Sequence, residues 1–259
     1  MEEKKTQIKR VKRGWMNLKV TRIFSDNAST KTLYLEDPEE GGVQFDYNAG
    51  QYITFRFDSL VEKPIVRSYT LSSSPCEKDA IAVTVREVED PFVSRSLCRD
   101  YKVGDILRAR GPIGKFCYEK DKDHNHLVMI AGGSGVTPFV SILREYALCL
   151  GQQGAPEKMT LFVTFRNDKE LMCWKTLENV CTKKNIEVIT TLSRQEIIPE
   201  GTMFIRGRVN EFLMDKVLEG SYENKTFMTC GPTALMNMVV KHLTSNGVEE
   251  KHIKKESFE

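Results

Sequence analysis

Five short stretches carry side chains that could do chemistry. Arg67-Ser68-Tyr69-Thr70 gathers a guanidinium, an aromatic ring and two hydroxyls into four residues, a set suited to a ligand that joins phosphate to a flat ring system. Residues 131–138 read AGGSGVTP: Gly132, Gly133 and Gly135 let backbone approach a ligand, Thr137 suits a helix N-cap, and Pro138 suits the first helical position. This is not the GxGxxG dinucleotide fingerprint, but a helix N-terminus still favours an anion. Cys230-Gly231-Pro232 places a thiol directly before a second glycine turn, and Ser193-Arg194 offers a hydroxyl and a guanidinium to a phosphate. Near the end of the chain Glu256 precedes Phe258 by two residues. Each stretch alone has an ordinary reading as an edge strand, a tight turn, a buried cysteine, a solvated loop or a polar tail.

The elements that must position these residues come in two textures. In the first half Ile53, Phe55 and Phe57 alternate with Thr54 and Arg56, and Ile81, Val83 and Val85 alternate with Ala82 and Thr84. This predicts an antiparallel barrel or sandwich over residues 14–121. After a polar stretch, DKDHN at 121–125, short apolar runs at Leu127–Ala131, Thr160–Phe165, Ile186–Thr191 and Thr226–Cys230 each lead into a segment of helical spacing. That predicts an α/β domain with a parallel sheet over residues 126–259. One helix starts at Thr137 with Phe139, Ile142, Leu143, Tyr146, Ala147 and Leu150 on its apolar face, and another runs from Thr233 to Ser245. The glycine turn and the CGP turn then both fall at carboxyl ends of strands, where open α/β sheets bind ligands.

Composition narrows the function. At 259 residues and a net charge of +2 the chain has room for two cores and no field of one sign that would call for nucleic acid. No apolar run is long enough to cross a bilayer, so we expect no membrane insertion and a cytoplasmic location. Seven cysteines, spread and without a CxxC pair, argue against a disulfide framework, a zinc site and an iron-sulfur cluster. The four histidines show no metal-ligand spacing. The basic start (Lys4, Lys5, Lys9, Arg10, Lys12 and Arg13, within residues 1–13) reads as a solubilising tail or a contact for an acidic carrier.

Taken in order, RSYTLSS at 67–73, AGGSGVTP at 131–138 and CGP at 230–232 resemble ferredoxin:NADP reductase type flavoproteins, and the resemblance runs from Gly14 to the last residues. It implies a flavin-binding barrel followed by an NAD(P)-binding domain, with FAD ahead of FMN and NADPH ahead of NADH as the reductant. By resemblance Arg67 holds the flavin pyrophosphate, Tyr69 packs on the isoalloxazine, and Thr70 lies near its N5. Ser68, Val85, Val93 and Ser94 belong to the same site, with Val93-Ser94 capping the pyrophosphate. Asp90-Pro91 stands where the family often has glycine, which alters that loop. Gly132, Gly133, Gly135, Thr137, Pro138, Gly231 and Pro232 would receive the nicotinamide dinucleotide, Ser193 and Arg194 its 2′-phosphate, and Phe204 its adenine. Gly207-Arg208-Val209 equally suits NADH-using relatives. Phe258 would cover the flavin, while Thr70, Cys230 and Glu256 would line the hydride path as the catalytic set. The expected activity is an NAD(P)H-dependent reductase that passes single electrons to a separate ferredoxin, flavodoxin or oxygenase component. The alternative is a flavin-binding regulatory or sensor module that does not turn over.

Overall fold

The structure is a computed structural model, and it describes residues 14–58, 63–88, 92–149, 154–198 and 204–258. The basic start, Asp90-Pro91, Leu150 and Met203 lie outside the described residues.

The first six strands form one antiparallel sheet. They are β1 (Met16–Asn27), β2 (Thr30–Glu36), β3 (Tyr52–Phe57), β4 (Ile65–Thr70), β5 (Ile81–Arg86) and β6 (Ile106–Ile113), in the order β4-β3-β6-β1-β2-β5. A bridge between Leu71 and Val83 joins the two edge strands at one end and closes the sheet into a barrel. Alternation works as the sequence predicts in β3, where Ile53, Phe55 and Phe57 are buried and Thr54 and Arg56 are not. These side chains fill the barrel with Leu18, Val20, Leu33, Leu35, Leu107 and others, each contributing about 1.5–3 kcal/mol by burial. Strand β5 departs from the expected alternation, because Ala82 and Thr84 are buried as well as Ile81, Val83 and Val85. The second face of β5 is covered by the other half of the chain: the Cys173 thiol meets Thr84 Oγ1 at 3.5 Å. A single helix, α1 (Phe92–Arg99), plugs the barrel with Val93 and Leu97.

The second half is a parallel sheet of β7 (His126–Gly132), β8 (Lys158–Phe165), β9 (Ile186–Leu192), β10 (Phe204–Arg206), β11 (Lys225–Cys230) and β12 (Ile253–Glu256), ordered β10-β9-β8-β7-β11-β12. Helices α2 (Thr137–Leu143), α3 (Trp174–Val180), α4 (Glu211–Leu218) and α5 (Thr233–Ser245) cover it, and two apolar clusters fill its two faces. The predicted runs map onto β7, β8, β9 and β11, and α5 has the predicted limits. The helix expected to run from Thr137 through Leu150 keeps α geometry only to Leu143 and widens into a π-type turn over Arg144–Cys149. His242 on α5 is structural, hydrogen-bonded through Nε2 to Tyr222 Oη at 2.7 Å and to Asp215 at 2.9 Å.

Strand β12 is not legible in the sequence. Its residues read IKKE, yet they pair with β11 from Phe227↔Ile253 to Cys230↔Glu256. Lys254 explains how so polar a segment is held: its ammonium donates to Asp123 at 2.6 Å and to the Cys117 carbonyl at 2.8 Å. The strand that carries Glu256 is therefore anchored to the segment linking the two sheets. Further hydrogen bonds join the halves at the opposite side, from Cys173 N to Asp26 at 2.9 Å and from Ser141 Oγ to the Ser73 carbonyl at 2.6 Å. The Arg144–Glu77 ion pair, Nε to Oε1 at 2.8 Å, adds to them. Among the described residues no helix is long and apolar enough to cross a membrane.

Candidate active site

The site is built where the carboxyl ends of β7, β8, β9 and β11 meet the barrel. The two glycine turns pack on each other there. A Cβ on Gly135 would come within 2.2 Å of the Cys230 carbonyl oxygen, one on Gly231 within 2.8 Å of the Gly132 nitrogen, and one on Gly132 within 2.6 Å of Pro232 Cδ. Side chains at these positions are excluded by the neighbouring turn itself, so the glycines serve loop-to-loop contact where the sequence suggested approach to a ligand. Thr137 is likewise not the N-cap. Residues Gly133–Val136 form a 3₁₀ turn ahead of α2, and the Thr137 hydroxyl donates to the Ser134 carbonyl at 2.9 Å from inside the helix. Pro138 does sit in the first turn of α2, buried.

These turns wall a cleft of about 630 Å³, the size of a small-molecule or cofactor site. Of the residues singled out by sequence, Gly132, Gly133, Ser193, Arg194, Gly231, Pro232 and Phe258 line it, as do Arg208 and Val209 of the stretch that equally suits NADH-using relatives. Main-chain hydrogen bonds hold the loops after β8 and β9 together, Ser193 N to Phe165 O at 2.9 Å and Arg194 N to Arg166 O at 2.7 Å. Phe204 is not in the cleft; its ring packs on Trp174 with centroids 5.0 Å apart. Three arginines besides Arg194 line the cleft: Arg86, Arg166 and Arg208. Arg86 and Arg166 escape sequence reasoning because each looks like a solvated strand end. Arg86 belongs to the barrel, and its guanidinium reaches across the seam to within 3.1 Å of where a Gly133 Cβ would stand. Burial first, then the charge of Arg166, makes this guanidinium easier to deprotonate than usual, with Glu170 opposing the shift. A desolvated cation of this kind suits an incoming phosphate. Leu235 and Met238 of α5, part of an apolar stripe in the sequence, face the cleft, whereas Val239 and Leu243 enter the core.

The barrel side carries the RSYT strand. Arg67 and Ser68 are exposed on β4, where Arg67 Nη1 donates to the Val66 carbonyl at 2.9 Å and Ser68 Oγ lies 3.0 Å from Thr54 Oγ1. Tyr69 packs on Phe55, ring centroids 5.9 Å apart, and burial raises its phenol pKa. Thr70 is buried with its hydroxyl unpartnered among the described residues. Val85 and Val93 are core side chains of the barrel, so their side chains are not available to a ligand. Ser94 Oγ accepts from Val88 N at 3.3 Å.

Cys230 and Glu256 come together on neighbouring strands. The thiol is buried, and burial followed by the nearby Glu256 charge raises its pKa, which keeps it protonated. Burial alone pushes the Glu256 carboxyl up from 4.5 to about 7, and its Oε2 is buried without a partner among the described residues. Six side-chain polar atoms are buried without a partner among the described residues, and two of them, Thr70 Oγ1 and Glu256 Oε2, belong to the residues the sequence singled out. An exposed guanidinium, a half-buried phenol ring and a cationic cleft are the donor set that a flavin dinucleotide and a nicotinamide dinucleotide need. The residues present therefore fit both groups.

Comparison with known proteins agrees with the two-part fold. Residues 16–118 match the oxidoreductase FAD-binding domain family and residues 129–241 the oxidoreductase NAD-binding domain family. Among curated relatives, the ferredoxin reductase component of a 3-ketosteroid-9-alpha-monooxygenase from Rhodococcus rhodochrous is 28% identical over 93% of this chain and 64% of its own length. The NADH oxidoreductase HCR of Escherichia coli is 29% identical over 79% of this chain and 58% of its own. This chain thus spans less than two thirds of the length of these relatives. Among solved structures, a ferredoxin NADP+ reductase from Neisseria gonorrhoeae with bound FAD and NADP superposes with a TM-score of 0.77 at 20% identity, covering 95% of this chain and 99% of that one.

Proposed function

Because this chain belongs to the ferredoxin reductase type of flavoprotein, an FAD-binding domain followed by an NAD-binding domain, we propose that it is an NAD(P)H-dependent reductase that delivers electrons to a separate protein acceptor. The observation that carries the proposal is the Cys230↔Glu256 pairing beside a cleft lined by four arginines. A sensor module without turnover has no need of a buried thiol paired with a carboxyl poised near neutrality beside such a cleft.

Bound FAD supplies the chemistry of taking a hydride from reduced nicotinamide and releasing electrons singly. The chain's own residues do the rest. Arg67 neutralises the flavin pyrophosphate and Tyr69 gives its ring an apolar face. Thr70 offers the buried hydroxyl that this site leaves without a protein partner. Arg86 and the Gly133–Ser134 turn hold the nicotinamide dinucleotide at its phosphates, with Leu235 and Met238 as the apolar wall. Cys230, kept neutral, presents a small polarisable surface that does not repel a hydride donor, and Glu256 holds or yields a proton around pH 7. Phe258, about half exposed at the cleft, would supply an aromatic face to the flavin ring.

NADPH is the better reductant in this reading, because Ser193, Arg194 and Arg166 share one hydrogen-bonded loop pair that would receive a 2′-phosphate. The acceptor we propose is an oxygenase component or small iron-sulfur protein, in keeping with the relatives' roles. Residues 14–121 would form the flavin domain and 126–259 the nicotinamide domain. The experiment is anaerobic stopped-flow: the yellow protein should bleach on mixing with NADPH, and more slowly with NADH. A protein that holds flavin and keeps its colour with both cofactors would instead be the sensor module.

A further inference from the structure

The cationic cleft contains one acid among its described lining residues, Glu170. Its carboxylate sits at the end of a 3₁₀ turn, Asp168–Glu170, that Asn167 caps by accepting from Lys169 N. Asn167 Nδ2 also donates to Glu170 Oε1 at 3.0 Å, which aims the other oxygen, Oε2, at Arg166 Nη1, 3.9 Å away. The carboxylate is therefore held by a neighbour in the turn instead of swinging into solvent, and its side chain is only 25% exposed. Its charge is felt across the seam too: Arg166 makes Arg86 easier to deprotonate, and Glu170 opposes that effect. The same turn is tied to the loop after β9, where Gln195 accepts from Asp168 N at 3.3 Å and Arg166 O accepts from Arg194 N at 2.7 Å. Glu170 thus stands within the loop pair that carries Arg166, Ser193 and Arg194.

We propose that Glu170 is a specificity-determining residue that sets how strongly this cleft prefers a nicotinamide nucleotide with a 2′-phosphate over one without. This role rests on the cofactor reading above and deepens it. A fixed carboxylate next to Arg166 does two things. It offsets the repulsion among the arginines and so keeps them together when no ligand is bound, and it repels an additional phosphate dianion brought to the same loops. The second effect scales with the ligand's charge at that position. A nucleotide that ends in a bare ribose hydroxyl is repelled little, and one that ends in a phosphate is repelled strongly. Glu170 therefore narrows the gap in affinity that four arginines would otherwise create, which suits a reductase that draws on both reduced nicotinamides.

The test is a charge-only change, Glu170→Gln, which retains an oxygen for Asn167 and so preserves the turn. Isothermal titration of the flavin-loaded protein with adenosine 2′,5′-bisphosphate and with 5′-AMP compares ligands that differ by the 2′-phosphate. At low salt, about 20 mM, the variant should bind the bisphosphate roughly fivefold to tenfold tighter and 5′-AMP less than twofold tighter, with the difference shrinking at about 500 mM salt. The steady-state ratio of kcat/KM for NADPH over NADH should rise by a similar factor. Adding Arg166→Ala should cancel the gain. Equal tightening of both nucleotides, or no change in either, overturns the inference while leaving the dinucleotide cleft intact. Failure of the wild-type protein to bind either nucleotide overturns the cofactor reading itself, and the inference with it.

Discussion

Cys230 and Glu256 are register partners on adjacent parallel strands, β11 and β12, although they lie 26 positions apart in the chain. Side chains of paired residues on neighbouring strands point to the same face of the sheet, so the thiol and the carboxyl share one small volume. Neither can ionise cheaply there. The carboxylate raises the thiol's pKa, and burial raises that of both. The pair is neutral below pH 7 and carries one negative charge, on Glu256, above it.

That charge has a stability cost with a definite sign. The folded carboxyl titrates at about 7, above its ordinary 4.5. The stability it contributes is thus fully present below pH 4.5 and is lost as pH rises through 7. With screening at a half-buried site the loss is about 1–2 kcal/mol. Glu256→Gln should therefore raise Tm by roughly 2–4 °C at pH 8 and leave it unchanged at pH 4.5. Thermal melts of both proteins across that range check this; parallel curves would show that Glu256 is solvated.

On the proposed function flavin retention should depend on Arg67, whose guanidinium projects from β4 with a main-chain carbonyl as its one described hydrogen-bond partner. Arg67→Ala should lose a charge-assisted phosphate contact of about 1.5–3 kcal/mol, a loosening of roughly tenfold or more in flavin Kd. Flavin content after gel filtration reads this directly. A protein that stays fully yellow would place the pyrophosphate elsewhere.

Two arginines of the same cleft should behave differently. Arg86 comes from the barrel and faces the Gly133 turn, so Arg86→Met should weaken NADH and NADPH alike, by about tenfold in kcat/KM. Arg194, on the loop after β9, should matter for NADPH alone, with Arg194→Ala raising its KM and sparing that of NADH. Steady-state kinetics with both cofactors separates the cases. Reversed patterns would mean that the dinucleotide lies along the cleft the other way.

The anchoring of β12 is testable through Lys254 and Asp123, the latter with a side chain only 2% exposed. Lys254→Met leaves a buried carboxylate without its cation and should cost about 3–5 kcal/mol. The double change Lys254→Met/Asp123→Asn should recover much of this, because no charge is left stranded. Urea denaturation of the three proteins decides it; additive losses would place Lys254 in solvent.

Strand periodicity and the order of three motifs were enough to read a barrel, a parallel sheet and two glycine turns at the carboxyl ends of strands, because these are local features that the chain repeats every two residues or states within seven. The sequence also singled out Gly132, Gly133, Ser193, Arg194, Gly231, Pro232 and Phe258, all of which meet in one cleft. What it could not supply is anything that depends on the two halves touching. Arg86 looks like the exposed end of a barrel strand and becomes part of the cleft only when the second half of the chain is laid against it. The glycines looked like room for a ligand, and the packed turns use them as room for each other. IKKE has neither alternation nor β-branched weight to announce a strand beyond its single isoleucine; it becomes β12 because Lys254 finds Asp123, 131 residues earlier in the chain. Local chemistry is written in short stretches of sequence, whereas burial, and with it the raised pKa of Glu256, exists only once distant stretches exclude water together.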